Sequence, residues 1–437
     1  MTTDNPQKQH PAILDPDLLN LARELSDSRH SLRDDSRQNG ITVAHVVEGC
    51  KGGVGTAVAG MITSQAQDPG ISEVHIIADA EKLGDMLATA PAIWHYYKSS
   101  RDLLQIPHVI KELDKCLADI SPTIVFLHST FPGLYGRFHK KTSHKWAGIY
   151  CAHGWAFCQK LPAIQQRLYS AVEDYLAPRA DAIVSISFSE FDEAVAAGVR
   201  NPIHKVIYHG LRARKTAQDP PIRVSGDAIN LGFIGRFDRQ KGLDLLLKAM
   251  EDPRMSSFNL WIIGAATLDE PLAIQAQPNV HSVGWVSNAE IDSYISCFDA
   301  IVMPSRWEGF GLTALEAMRN GKPVIASRVG GLSELLIDGV NGLFIDPADT
   351  EGLVVKLANL SKDSLRSMGE AALTIFTTGF GLDRAYHQWS ELMQQVLEER
   401  GSAKTYRGMR EASHSALSES IREPAREPLW VADADDR

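Results

Sequence analysis

The chain has 437 residues, 44% hydrophobic and 22% charged, with 44 Lys+Arg against 54 Asp+Glu for a net charge of −10. That composition is globular and the length suits two domains, so a disordered or fibrous chain is excluded. The acidic balance speaks against a chain-wide nucleic-acid footprint, and no apolar run approaches the roughly 18 residues of a membrane span.

Five scattered cysteines (Cys50, Cys116, Cys151, Cys158 and Cys297) contain no C-x-x-C pair. They argue against a disulfide framework or a zinc ribbon and for a reducing compartment, so the expected location is cytoplasmic. Residues 1–39 are polar and charged and read as a disordered extension. From there, short β-branched runs recur at Ile41 to Val47, Val74 to Ala78, Thr123 to Leu127, Gly148 to Ala152 and Ala182 to Ile186. Each predicts a buried strand of a parallel sheet, with room between for crossover helices, in a first domain over 40–214.

Behind the first run stands Lys51-Gly52-Gly53-Val54-Gly55-Thr56-Ala57. It opens like the phosphate loop of partition-type ATPases. The positions that should hold Lys and Thr hold Thr56 and Ala57, and no third glycine completes a dinucleotide fingerprint. What remains is a tight turn whose missing Cβ atoms let backbone approach a ligand. His128-Ser129 and Cys151-Ala-His153-Gly154 end two further strands, where open α/β sheets hold their ligands. A neutral imidazole at such a place can donate or accept one hydrogen bond to a hydroxyl, with His128 the candidate on the acceptor side. Arg137, Lys140, Lys141 and Lys145 fall within nine residues, among Phe131, Leu134, Tyr135, Phe138 and Trp146. A basic, aromatic stretch of this kind suits anionic lipid head groups or a diphosphate-linked acceptor as well as a solvated loop, so peripheral contact at the inner membrane face is one expectation.

A polar passage from Arg212 to Asp227, with Pro220-Pro221, reads as a linker. The rhythm then restarts at Ile229 to Ile234, Asn259 to Ile263, Val280 to Val283, Ala300 to Met303 and Pro323 to Ala326, with a helix at Gly242 to Met250, giving a second domain over 215–380. Leu382 to Glu399 places Tyr386, Trp389, Leu392, Met393 and Val396 at helical spacing, which predicts an amphipathic helix (381–400) crossing to the first domain. Residues 401–437 read as a disordered tail. The fold class expected is α/β, two Rossmann-like doubly wound domains facing a cleft.

The second domain carries the denser chemistry. Pro304-Ser-Arg-Trp-Glu308-Gly309-Phe310-Gly311-Leu312-Thr313-Ala-Leu-Glu316 runs from a strand through a glycine turn into a helix that Asn320-Gly321 ends. Free amides from Gly309 to Thr313 at a helix N-terminus make a seat for phosphate. Glu308 and Glu316 flank it, eight residues apart in sequence and on the order of 12 Å or less in space. Phosphate alone does not want two acids beside it, whereas a diphosphate with a polyol at each end does, because carboxylates accept paired hydroxyls. In Gly235-Arg236-Phe-Asp-Arg-Gln-Lys241-Gly242, a forked and a point cation from one strand-end loop suit a diphosphate leaving group.

These motifs, together with Gly330-Gly331-Leu-Ser-Glu334 and Asn341-Gly-Leu-Phe344, resemble the donor half of family 4 of the retaining glycosyltransferases, which have the GT-B fold. The likeness is strong from Ile229 to about Asp349 and weaker from Ile41 to Gly210. It implies that Arg236 and Lys241 bind a donor diphosphate, Glu308 the sugar hydroxyls, Glu316 the ribose, and Val286 the base through its backbone. It also places Gly53 and Val54 near the reacting centre and His153 against the donor sugar, and it implies a reaction that needs no metal or cofactor. The partners implied are a UDP- or GDP-sugar and a carbohydrate or lipid-linked acceptor, with no nucleic acid. Two alternatives stay open at this point: a nucleotide-sugar epimerase on the same architecture, and a partition-like ATPase or scaffold using the Lys51 loop.

Overall fold

Two parallel sheets carry the chain in a computed structural model that describes residues 40–401 except 50–51, 83–89, 139–144, 160, 215–220, 225, 267–276 and 347–348. In the first half, β1 (Ile41–Val47), α1 (Gly53–Gln65), β2 (Ile71–Ala78), β3 (Ile93–Tyr96), α2 (Ile106–Ile120), β4 (Ile124–His128) and α3 (Thr130–Arg137) are followed by β5 (Ala147–Cys151), α4 (Ala163–Leu176), β6 (Ala182–Ser185), α5 (Phe188–Ala196) and β7 (His204–Val206). The strand order is β3-β2-β1-β4-β5-β6-β7. The second half holds β8 (Ile229–Ile234), α6 (Leu243–Met250), β9 (Phe258–Ile263), β10 (Val280–Gly284), α7 (Ile291–Cys297), β11 (Ala300–Met303), α8 (Leu312–Arg319), β12 (Val324–Ser327), α9 (Leu332–Leu335), β13 (Gly342–Ile345), α10 (Thr350–Ala358), α11 (Lys362–Gly379) and α12 (Leu382–Glu399). Its order is β10-β9-β8-β11-β12-β13.

Every residue of β4, β5, β6, β11 and β12 is buried. Parallel strands covered by helices on both faces produce such unbroken apolar runs, which is why these strands are plain in the sequence. The strands that pattern reading does not anticipate, β3, β7 and β13, are edge strands of three or four residues. With a neighbour on one side only and so few residues, they leave little periodic signal.

In each sheet the strand order reverses once, between β1 and β4 and between β8 and β11. Those switch points open crevices at the carboxyl ends of the strands. Helix α12 lies against the first domain. Trp389 of α12 meets Phe126 of β4 edge-on at 5.7 Å, the Tyr386 hydroxyl donates to Asp68 at 2.7 Å, and Arg400 pairs with Asp181 at 2.8 Å.

One surface expectation is overturned. Arg137 is 1% exposed, donates to Glu173 at 2.7 Å and lies 3.5 Å over the Tyr150 ring. Closing α3 over β5 folds its guanidinium inward, so it faces neither lipid nor acceptor. Lys145 is exposed. Lys140, Lys141, Lys51 and both terminal segments, 1–39 and 402–437, lie outside the described residues.

Candidate active site

The two loops leaving the second switch point touch. Gly242, at φ +71°, precedes α6, and a Cβ there would sit 2.0 Å from the Pro304 carbonyl, so only glycine lets the β8 and β11 loops pass this closely. As a result Lys241 Nζ lies 2.6 Å from Glu308 Oε2, with the Ser305 hydroxyl 3.4 Å from the same oxygen. Arg236 stays on its own loop, donating to Gln240 Oε1 at 2.9 Å with its Nε 3.1 Å from Asp238. Gln240 in turn donates to the Trp307 carbonyl at 3.2 Å and accepts from the Arg306 amide at 2.8 Å. It joins the cation loop to the carboxylate loop, a role the sequence reading does not assign.

Beyond Glu308 the chain turns through Gly311, at φ +96°, into α8. Among the described residues, the amides of Gly309, Phe310, Gly311, Leu312 and Thr313 have no acceptor, so five N–H groups stand together at a helix N-terminus. Gly330 and Gly331 buttress the turn from behind: a Cβ on Gly330 would lie 1.8 Å from the Glu308 carbonyl, and the Gly331 amide donates to Gly309 at 3.2 Å. Glu316 is recessed on α8, and its carboxylate accepts no hydrogen bond among the described residues. Burial pushes its pKa up to about 7, with nearby Arg319 opposing. An unpaired acid of this kind gains most from hydroxyl donors brought by a ligand. Val286 is half-buried behind the exposed Trp285.

The first domain closes on this turn. Gly53 opens α1 and a Cβ there would lie 3.2 Å from Leu312, while Val54 beside it is half-buried. Asn288 donates to the Thr56 hydroxyl at 2.9 Å. The carboxylate of Glu334 accepts from the Phe188 and Ser189 amides at 2.9 and 2.8 Å and from the Tyr208 hydroxyl at 2.8 Å. An acid from the second half thus caps the N-terminus of α5 in the first.

His153 follows β5 at φ +53°, an uncommon backbone for a non-glycine residue. Glu190 supports it, accepting from the Gly154 amide at 2.5 Å and the Ile186 amide at 2.6 Å. Ser187-Phe-Ser-Glu190 is legible as a capping signature, and Ser187 does accept from the Glu190 amide at 3.0 Å. The carboxylate, however, serves the His153 turn, and burial raises its pKa to about 7. His209, stacked on His153 at 5.4 Å and edge-on to Phe310 at 5.3 Å, is a further residue at the junction that carried no sequence signal.

His128 corrects an expectation. It is 1% exposed, and both ring nitrogens are engaged, with His45 and with His153, each at 2.9 Å. It therefore does not meet an acceptor directly. Burial holds His45 and His209 down to about pKa 4, and His128 and His153 well below the ordinary value, so these imidazoles are neutral.

The family models match both halves: "Glycosyl transferase 4-like domain" over residues 52–210 and "Glycosyl transferases group 1" over residues 228–363. The chain belongs to the GT-B glycosyltransferases. It is 30% identical over 327 residues to an uncharacterized 41.2 kDa protein in the cps region of Klebsiella pneumoniae, covering 72% of this chain and 88% of that one. It is also 30% identical over 205 residues to the glycogen synthase of Mycobacterium tuberculosis, spanning 45% of this chain and about half, 49%, of that relative. Among solved structures, HepE of Anabaena in complex with UDP-glucose superposes with a TM-score of 0.66 at 18% identity, covering 81% of this chain and all of that one. The chain is thus a glycosyltransferase, and the epimerase alternative is not favoured by these matches.

Proposed function

We propose that the enzyme transfers a hexose from a UDP- or GDP-sugar, with retention of anomeric configuration, to a hydroxyl of a polysaccharide or lipid-linked intermediate. The observation that carries this reading is the meeting of Lys241 and Glu308 at 2.6 Å beside five unpaired amides at a switch point. In that arrangement the amides and the Lys241 ammonium take the diphosphate and the charge that grows on it, with Arg236 on the same loop as Lys241. Glu308 holds the hexose hydroxyls and the unpaired Glu316 the ribose. Val286 meets the base through its backbone, Gly53 and Val54 face the diphosphate from the first domain, and His153 lies against the sugar. These groups neutralise the leaving diphosphate without a metal. The departing oxygen then takes the acceptor proton on the same face, so no carboxylate nucleophile is needed. The relative bound to UDP-glucose supports a nucleoside-diphosphate donor, and the relative in a cps region supports a glycan acceptor. With Arg137 internal, contact with the inner membrane face rests on Lys145 alone among the described residues of the basic stretch.

Thermal stability against a panel of nucleotide sugars tests the reading, because a ligand that binds only the folded state raises Tm by mass action. One donor should raise Tm in the wild type and in Lys51→Ala, and fail to do so in Glu316→Ala. The reverse pattern, with binding lost in Lys51→Ala alone, would move the nucleotide to the first domain and end the proposal.

A further inference from the structure

A file of polar side chains runs through the first domain behind the cleft. Gln65 ends α1, His45 lies within β1, His128 ends β4 and His153 follows β5. Gln65 and His45 are fully buried. The contacts run in series: Gln65 Oε1 to His45 Nε2 at 2.6 Å, His45 Nδ1 to His128 Nε2 at 2.9 Å, and His128 Nδ1 to His153 Nε2 at 2.9 Å. At the two ends, Gln65 Nε2 and His153 Nδ1 are buried without a partner.

A neutral imidazole has one N–H and one lone pair, and an amide oxygen only accepts. Gln65 Oε1 therefore requires the proton on His45 Nε2, which leaves His45 Nδ1 bare. That lone pair requires the proton of His128 on Nε2, and the bare His128 Nδ1 requires the proton of His153 on Nε2. His153 Nδ1 is then an acceptor. Turning the amide over reverses every link and makes Nδ1 a donor; no third ordering satisfies all three contacts with neutral rings. One amide at the far side of the sheet thus governs the ring that stands where the two domains meet: a Cβ on Gly309 would come within 3.9 Å of Gly154 Cα.

We propose that Gln65 is a positioning residue of the transfer site, setting the tautomer of His153 through His45 and His128 so that Nδ1 offers a lone pair to a hydroxyl of the bound sugar. This rests on the reading that His153 lies against the donor sugar. A buried acceptor without a partner is unfavourable until a ligand hydroxyl supplies one, so the unpaired nitrogen favours binding over an empty site.

Long-range proton–nitrogen NMR of the full chain, with 15N-labelled histidine, reads each tautomer without any donor present. The expected result is Nε2–H for His45, His128 and His153 in the wild type and in Gln65→Glu, whose carboxylate also only accepts, and loss of that single ordering in Gln65→Met. An Nδ1–H form of His153 in the wild type, or an ordering unchanged in Gln65→Met, overturns the proposal; should Gln65→Met fail to fold, the wild-type spectrum still decides. With the donor selected by the nucleotide-sugar panel, Gln65→Met should lose about tenfold in kcat/KM, as for one hydrogen bond, and Gln65→Glu should recover most of it. If His153→Ala leaves kcat/KM unchanged, the sugar contact is refuted while the tautomer spectrum stands, so the two failures are told apart.

Discussion

Lys241 and Glu308 stand 67 residues apart in sequence and form one contact, so each is the other's partner. Replacing either by alanine should lower turnover about a hundredfold, on the order of 3 kcal/mol in the barrier, with Tm little changed. The double variant should lose less than the product of the two, because the residues act as a unit. Glu316 makes a separate prediction. Its pKa is raised to about 7 by burial, so if Glu316 takes the ribose as proposed, below neutrality its carboxyl holds a proton that the two hydroxyls must displace. The donor KM should therefore rise as pH falls from 8 through about 7 to 6, and in Glu316→Gln the KM should be higher but flat over that range. A wild-type KM independent of pH would count against the ribose role.

At the level of elements, glycines decide how near the loops of the second half can come. Gly330 has φ +48° and faces the Glu308 carbonyl. Gly330→Ala both strains the backbone and pushes on the carboxylate loop, a cost of about 1–3 kcal/mol. The expected outcome is a lower Tm accompanied by a fall in kcat, whereas Gly339→Ala, also at positive φ but with open space around it, should lower Tm with activity retained. The start of α5 works differently. Its first turn holds the His153 loop through Glu190 and the second half through Glu334, so a short helix aligns the two sides of the cleft.

For the whole molecule, Glu334 and α12 hold the halves together. Glu334→Ala removes three hydrogen bonds across the cleft. Hydrogen exchange at the Phe188 and Ser189 amides should accelerate, and the donor KM should rise more than kcat falls. Ending the chain at 401 should leave activity near normal, while ending it at 381 removes Trp389 and its neighbours from the first domain's core and should abolish cooperative folding. Acid stability follows the histidines. His45, His204 and His209 fall from 6.5 to about 4 on folding, and burial also holds His128 and His153 well below 6.5. Below pH 6.5 the unfolded chain therefore binds more protons, and stability drops as pH falls toward 4. Glu190 and Glu316, raised from 4.5 to about 7, act in the opposite sense and lose their contribution as pH rises through 7. Five rings against two acids predict a net fall in Tm between pH 6.5 and pH 4.

Runs of apolar residues, glycine turns and strand-end motifs were enough to establish two doubly wound sheets, a late amphipathic helix and the glycine-rich loops of the second half. Each of these depends on residues close together along the chain. Buried parallel strands such as β11 and β12 need no long-range information, because an unbroken β-branched run has few other ways to be covered. The site resolved less completely. Arg137 and His128 look like surface or acceptor groups in sequence because charge and strand-end position are local, while their burial depends on Glu173, Tyr150, His45 and His153 from distant segments. Gln240, Glu190, Glu334 and Gln65 carried no assigned role for the same reason: each acts through a partner that only folding brings within about 3 Å. The sequence by itself determined the architecture and the residue types that the strand-end loops carry. Only the tertiary structure decided which polar atoms pair and which are left for a ligand, because a hydrogen bond depends on sub-ångström placement that periodicity does not encode.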